Sequence, residues 1–213
     1  MTLLTGPSTS QTSLAAHQAL VSRSPSFASA ISSSTTSSIS LPDADLEAVS
    51  AVLEYLYTGE YFPHKLSSTS LQTDPSLPKP DRTGDQLLKH AKVYTLAEKL
   101  GLPQLRSLAH SKIHLVDSNA VAELSYARYV YSNTDKADFT IRKPIASFWG
   151  QRSHVLRHET EGSFREMCLE FPEFAFDVLS HLLDAEEKRD ERKRKSTAGD
   201  DGPAQGSARK RRG

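Results

Sequence analysis

Apolar residues follow two different spacings along the chain, which divide it into a short strand-forming start and a long helical remainder. Residues 2–5 and 13–17 are brief apolar-containing segments separated by turn-forming residues, a pattern typical of a hairpin. Residues 39–41 alternate as a third short strand. From Leu46 onward, apolar side chains recur at three- and four-residue intervals, which predicts helices packed through one face. The order predicts an α+β fold whose small sheet is covered by helices.

The helical part divides at capping residues and breaks in the apolar repeat. Gly101 is suited to end one helix, and Pro103 is suited to the first position of the next. Pro25 limits a short early helix to about a turn on either side. The pattern predicts further helices over residues 46–57, 85–100, 103–116, 121–132, 141–156 (weakened at Gly150), 164–168 and 172–183. We expect Leu53, Leu56, Leu87, Tyr94 and Leu105 to share one core.

Three stretches lack an apolar repeat. Residues 32–38 are all Ser and Thr, which predicts a low-complexity loop. Residues 63–84 are rich in Pro, Ser, Thr and Asp, which predicts an exposed, flexible insertion that can be shortened without loss of the fold. Residues 186–213 are charged and contain Gly, Ser and Pro, which predicts a disordered tail.

The net charge of zero conceals an uneven distribution. Of the 26 basic and 26 acidic residues, ten and six fall in residues 186–213, so the tail carries +4 and the rest of the chain −4. Cys168 is the only cysteine, which excludes an internal disulfide and a cysteine-based zinc site. The start has neither a charged segment nor an apolar run typical of a signal peptide. We therefore expect a cytosolic or nuclear protein, and the basic clusters of the tail favour one that is nuclear, or both nuclear and cytoplasmic.

No sequence motif indicates catalysis, so we expect neither an enzyme nor a cofactor. The nucleotide-binding patterns GxGxxG and GxxxxGK[ST] and the nucleophile pattern GxSxG are absent. Two histidine pairs with i, i+4 spacing, His110/His114 and His154/His158, have the spacing of metal ligands but no evident third ligand. We interpret them as surface or packed residues. Cys168, Trp149 and Tyr94 lie on apolar stripes, which favours core packing over a reactive thiol or a ligand pocket.

Four segments resemble motifs of the BTB/POZ family, in the family's order. Residues 17–27 are similar to the signature around its second helix, 39–43 and 52–61 to the strand and helix that follow, and 87–103 to its paired closing helices. The residues that carry this resemblance, which we interpret as structural, are His17, Ser24, Phe27, Tyr55, Tyr57, Gly59, Ala91, Tyr94 and Ala97.

The resemblance implies a domain organisation. Residues 1–116 correspond to a BTB/POZ-like domain, with residues 63–84 as an inserted flexible loop. Residues 117–185 correspond to the helical extension of fungal members, because Phe164-Arg165-Glu166-Met167 and Phe171-Pro172-Glu173-Phe174 are similar to their C-terminal helices. The disordered basic tail follows.

The function that the resemblance implies is a non-catalytic protein–protein interaction module, a scaffold or adaptor. The alternative is a substrate adaptor of a cullin-type ubiquitin ligase. The chain departs from the family in two places: Met1 lies almost on the first strand, where the family dimer has a preceding helix, and residues 32–38 lack the Glu of the cullin-binding motif. We expect a monomer or weak self-association, with other proteins as partners and no membrane or nucleic acid.

The tail contains two dense basic clusters. A solvated charged tail, loose phosphate contact and nuclear import all fit such clusters, and we favour recognition by an import receptor. Phosphorylation of Ser196 or Thr197 is expected to weaken it. The candidate residues are Arg192, Lys193, Arg194, Lys195, Arg209, Lys210, Arg211 and Arg212.

Overall fold

The computed structural model describes residues 1–7, 9–33, 36–73, 75 and 79–198, with the backbone alone for residues 196–198. Its main sheet has three strands in the order β2-β1-β3. Strand β1 (Thr2–Thr5) pairs antiparallel with β2 (Thr12–Ala15) and parallel with β3 (Ser38–Leu41). Leu3, at the centre of β1, faces Leu14 on one side and Ile39 on the other.

Helices make up most of the described chain, so the predicted α+β class, a small sheet with a helical extension, is confirmed. None of the described helices is long and apolar enough to cross a membrane. They are α1 (Gln18–Val21), α2 (Pro25–Ser33), α3 (Leu46–Thr58), α4 (Asp85–Leu100), α5 (Pro103–Ile113), α6 (Ala120–Asn133), α7 (Phe139–Glu159), α8 (Ser163–Glu170) and α9 (Pro172–Ala198).

The helix ends in the first half of the chain follow from their capping residues. The side chain of Asp45 accepts hydrogen bonds from the backbone N–H groups of Glu47 and Ala48 at the start of α3. Gly101 ends α4 with a left-handed backbone (φ 67°), and a Cβ there would lie 3.3 Å from the ring of Pro25. Gly101 therefore serves both the helix end and the close approach of α2.

One hydrophobic core runs through the sheet and both halves of the helical region. Leu53, Leu56, Leu87, Tyr94 and Leu105 are all buried in it, which confirms the predicted shared core. Trp149, Met167 and Phe174 of the extension belong to the same cluster.

The early helix differs from its prediction. Pro25 does not limit a helix but begins α2, because a first helical position needs no N–H donor. Helix α2 continues to Ser33, so the first part of the predicted loop at residues 32–38 is helical, and Ser38 already belongs to β3. Residues 34 and 35 lie outside the described residues.

The predicted flexible insertion at residues 63–84 contains ordered elements. Strands β4 (Lys65–Ser67) and β5 (Ser70–Leu71) form a small antiparallel hairpin. Asp81 is 1% exposed, and its carboxylate accepts hydrogen bonds from the backbone N–H groups of Gly84, Gln86 and Leu87 at 2.9 to 3.2 Å. The end of the segment therefore caps α4, and composition concealed this because an aspartate is typical of both loops and caps. Residues 74 and 76–78 lie outside the described residues.

The predicted disordered tail begins too early. The apolar repeat ends at Leu183, yet α9 continues to Ala198. Acidic residues precede basic ones by four positions at Asp184/Lys188, Asp190/Arg194 and Glu191/Lys195, a spacing that stabilises a helix without any buried face. Residues 199–213 lie outside the described residues.

Candidate interaction surfaces

The residues that carry the family resemblance hold the first half of the molecule together. Nδ1 of His17 lies 2.6 Å from the hydroxyl of Tyr57, which also accepts a hydrogen bond from the His17 backbone. The Ser24 hydroxyl is buried and donates to the carbonyl of Leu100 at 2.6 Å. Tyr94 donates its hydroxyl to the carboxylate of Asp138 in the extension. These contacts join α1 to α3, α2 to α4, and α4 to the residue before α7.

The other residues that carry the family resemblance are buried in the core, end a helix or contact another helix. Phe27, Ala91 and Ala97 are buried. Gly59 ends α3 with a left-handed backbone (φ 82°), and the hydroxyl of Tyr55 lies 3.5 Å from Gln104. Each of the nine residues therefore is buried, bonds to another part of the chain or ends a helix.

A buried charged cluster, not anticipated from the sequence, fixes the turn after α3. Lys112 of α5 is 0% exposed, and its Nζ lies 2.5 Å from the Glu60 carboxylate. The ammonium donates to the backbone carbonyls of Tyr61 and Pro63, and it lies over the Tyr61 ring. The hydroxyl of Tyr61 lies 2.9 Å from Nδ1 of His90. We call these five residues the Lys112 clamp.

The electrostatics of the Lys112 clamp indicate a structural role. Burial, with a smaller contribution from Lys112, lowers the pKa of His90 to about 3, so this ring is neutral at physiological pH. Burial raises the pKa of Tyr61 well above its usual value. Burial also acts to raise the pKa of Glu60, but the hydrogen bond and charge of Lys112 and the backbone hydrogen bonds from Tyr61 and Lys65 together outweigh it, so the net shift is downward. The Lys112 clamp thus combines a buried lysine, its partly exposed glutamate partner and one neutral, buried histidine.

A groove of about 780 Å³ opens beside the sheet. Helix α2 forms one wall with Phe27 and Ala30, α4 forms the other with Leu96 and Leu100, and residues from β3 and the segment before α3 line the rest. Its apolar lining is mostly buried, although Leu46 at the rim is 43% exposed.

Lys92 and Asp45, two of the charged residues at the rim of the groove, pair with each other. Nζ of Lys92 lies 2.8 Å from the carboxylate of Asp45. Burial acts to raise the pKa of Asp45, but the hydrogen bond and charge of Lys92 and the backbone hydrogen bonds from Ala48 and Glu47 together outweigh it, so the net shift is downward. The hydroxyls of Thr95 and Tyr129 lie 2.8 Å apart. These four side chains are therefore bonded to one another at the rim of a groove with apolar walls.

The extension is built around one arginine and one tryptophan. Arg142 is 3% exposed, and its guanidinium donates to the carbonyls of Thr134 and Tyr131 and lies 3.4 Å from Glu173. Trp149, predicted to pack in a core, is fully buried and stacks on Phe164 with ring centroids 5.2 Å apart. These contacts fix α6, α7, α8 and the start of α9 as one unit.

Helix α9 has two apolar faces, only one of which is covered. Phe174 and Val178 are buried, and His181 packs closely against Gly150 of α7. The opposite side of α9 and the end of α8 leave five large apolar side chains exposed, and we call them the α8–α9 face. They are Leu169 (64% exposed), Phe176 (69%), Leu179 (53%), Leu182 (39%) and Leu183 (56%).

The first basic cluster lies on the same helix. Arg192, Lys193, Arg194 and Lys195 are exposed on α9 beyond the α8–α9 face, and Lys193 lies 4.0 Å from Asp190. The second cluster, Arg209 to Arg212, lies outside the described residues. The structure therefore presents the first cluster on a helix rather than on the disordered segment predicted from the sequence.

The remaining chemical candidates differ in their surroundings. Cys168 is half-buried, and burial raises the pKa of its thiol, which disfavours the reactive thiolate. His154 and His158 are exposed on α7. Nε2 of His110 lies 3.2 Å from Nε2 of His114 at the end of α5. Burial lowers the pKa of both rings, and the neighbouring His114 lowers that of His110 further.

Comparison with known proteins gives one family match. A family profile described as the HAC6 N-terminal domain matches residues 16–120, a span that runs from the end of β2 to the first residue of α6. No curated protein matches the chain. The matched span covers the Lys112 clamp and both walls of the groove but neither α8 nor α9.

Proposed function

We propose that the protein is a non-catalytic interaction module of BTB/POZ type, an adaptor whose α8–α9 face binds another protein. The observation that carries the proposal is the exposure of five large apolar side chains on two adjacent helices. Contiguous exposed apolar surface on an otherwise well-packed protein is typical of a binding site. The polar clusters of the first half of the molecule are internally paired, which favours a framework role for that half.

The pattern along α9 specifies the chemistry of the partner. Phe176, Leu179 and Leu183 recur at i, i+3 and i+7, and the same line continues through Glu186 and Asp190. It ends at the basic residue Lys193. An amphipathic helix with an apolar section, then a basic turn, then an acidic turn complements this surface along its length.

A second copy of the chain fits this line less well. If two α9 helices pair in parallel, Glu186 faces Glu186 and Asp190 faces Asp190, and like charges at a helix seam oppose pairing. If they pair antiparallel along residues 176–193, Leu179 faces Asp190. The surface therefore favours a different protein, in agreement with the expectation of a monomer or weak self-association.

The test begins with a photo-crosslinking amino acid at position 176 in cells that express the protein. The crosslinked partner is then purified and titrated with the purified chain. We expect Leu183→Glu to weaken the complex at least tenfold. The matched control is Leu66→Glu, because Leu66 is also exposed (69%, against 56% for Leu183) but lies on β4, and this variant should bind normally.

The outcomes separate the two functions. Identification of a cullin as the direct partner supports the substrate-adaptor alternative. Equal binding by Leu183→Glu and the unchanged chain contradicts a docking role for the α8–α9 face, as does an equal loss in Leu66→Glu.

We also propose that the basic clusters direct the protein to the nucleus. Exposure of residues 192–195 supports access by a receptor with an acidic groove. A fluorescent fusion too large for passive diffusion should lose nuclear accumulation when both clusters are changed to Ala. If the changed fusion still accumulates in the nucleus, the clusters are not the import signal. A partner then carries the protein into the nucleus, or the clusters are only a solvated charged segment.

A further inference from the structure

The last turn of α5 brings two imidazole rings into contact. Nε2 of His110 lies 3.2 Å from Nε2 of His114, with ring centroids 4.6 Å apart and ring planes nearly perpendicular at 87°. The two residues are one helical turn apart, so their side chains lie on the same face. The two Nε2 atoms are therefore within hydrogen-bonding distance of each other on one face of α5.

A neighbouring helix leaves a backbone acceptor near the His110 ring. Pro144 lies inside α7 and has no N–H, so the carbonyl of Thr140, four residues earlier, lacks its usual helical donor. The backbone of Thr140 acts to raise the pKa of His110, as an acceptor near a ring N–H does, although burial makes the net shift downward. A proton held on Nδ1 would leave the Nε2 lone pair available, which is how metal-binding histidines are commonly oriented.

The spacing of the two nitrogens fits a metal ion. With tetrahedral geometry and metal–nitrogen bonds of 2.0–2.1 Å, two imidazole nitrogens lie about 3.3 Å apart. We propose that His110 and His114 form a two-imidazole site for a divalent transition metal of the Zn²⁺, Ni²⁺ or Cu²⁺ class. Imidazole ligands favour these ions over Mg²⁺ and Ca²⁺, which prefer oxygen.

The site is open rather than closed. Among the described residues, no group of three or more His, Cys, Asp and Glu side chains is placed to hold a metal. The charge of the Asp138 carboxylate acts on the pKa of His110. This carboxylate already accepts hydrogen bonds from Tyr94 and Arg106. The other coordination positions are therefore left to water or to a ligand from another molecule, which makes binding reversible.

The test is calorimetric titration of the full, tag-free chain with Zn²⁺ and separately with Ni²⁺. We expect one ion per chain, and at least a tenfold weaker association in His110→Ala and in His114→Ala. The matched control changes His154 and His158 to Ala together, since this pair has the same spacing on α7, and it should bind normally. Thermal unfolding of each variant without metal shows whether it remains folded.

A second measurement does not depend on the variants. In the unchanged chain labelled with ¹⁵N-histidine, added Zn²⁺ should shift the Nε2 resonances of His110 and His114 and leave those of the other histidines in place. The proposal is wrong if these two resonances do not move, or if the His154/His158 variant loses as much affinity as His114→Ala.

Discussion

Two regions of the molecule differ in which side chains they bury: one buries charged groups, and the other exposes apolar ones. Around α3, α4 and α5, charged groups such as Lys112 and Asp81 are buried and bonded, and most large apolar side chains are covered. On α8 and α9, Phe176 and Leu183 face solvent and the helix continues as an exposed charged rod. Burial of a charge is tolerated only with full pairing, whereas exposed apolar surface is retained where it binds something. The first region therefore has the character of a stable framework, and the second is the one that we propose for recognition.

The largest effect should come from breaking the Lys112 clamp. Lys112→Ala leaves two backbone carbonyls without this donor and removes the cation beside Glu60, and loss of one partner of a buried ion pair costs about 3–5 kcal/mol. Lys112→Met keeps most of the apolar stem, so the difference between the two variants separates packing from charge. Chemical denaturation measures both. A loss under 1 kcal/mol in Lys112→Ala would show that the clamp is not a stabilising element.

A smaller effect is expected at the cap of α4. Asp81→Ala leaves buried backbone N–H groups of Gly84 and Leu87 without an acceptor, which should cost about 1–3 kcal/mol. Asp81→Asn keeps one acceptor oxygen and should lose less. Urea denaturation measures the unfolding free energy of both variants. If both equal the unchanged chain, the residues near Asp81 do not contribute to stability, as the predicted flexible insertion implies.

The neutral His90 should make stability depend on pH. Its folded pKa of about 3 lies below the ordinary 6.5, so the unfolded chain binds a proton as the pH falls below 6.5 and the folded chain does not. Stability from this group is present above pH 6.5 and is lost on acidification, by about 2 kcal/mol between pH 7 and pH 5. His90→Gln removes the titrating group, so its unfolding free energy should fall less over this interval. Parallel pH dependence in the two proteins would contradict a neutral, buried His90.

Local chemistry predicted much of the fold. Gly101 and Pro103 each act through neighbours within a few residues, so the sequence locates these helix ends directly. The Lys112 clamp joins residues 22 to 52 positions apart, and no local pattern distinguishes a buried lysine from a surface one. In the sequence, the residues of the α8–α9 face belong to an apolar helical repeat, and the repeat does not show which of them are exposed. Which face of α9 packs depends on where α7 lies, and a periodic pattern does not contain that information.

The most direct test of the central claim measures one variant in two ways, with Leu56→Ala as the reference. Leu56 is 3% exposed, so Leu56→Ala should cost about 2–5 kcal/mol of unfolding free energy, and a cost under 0.5 kcal/mol would contradict its helix assignment. Leu183→Glu should change that free energy by less than about 0.5 kcal/mol, since the side chain is exposed. The same variant should lose at least tenfold in affinity for the protein crosslinked from position 176. If Leu183→Glu instead destabilises the chain as Leu56→Ala does, or binds that protein normally, the α8–α9 face is not a recognition surface.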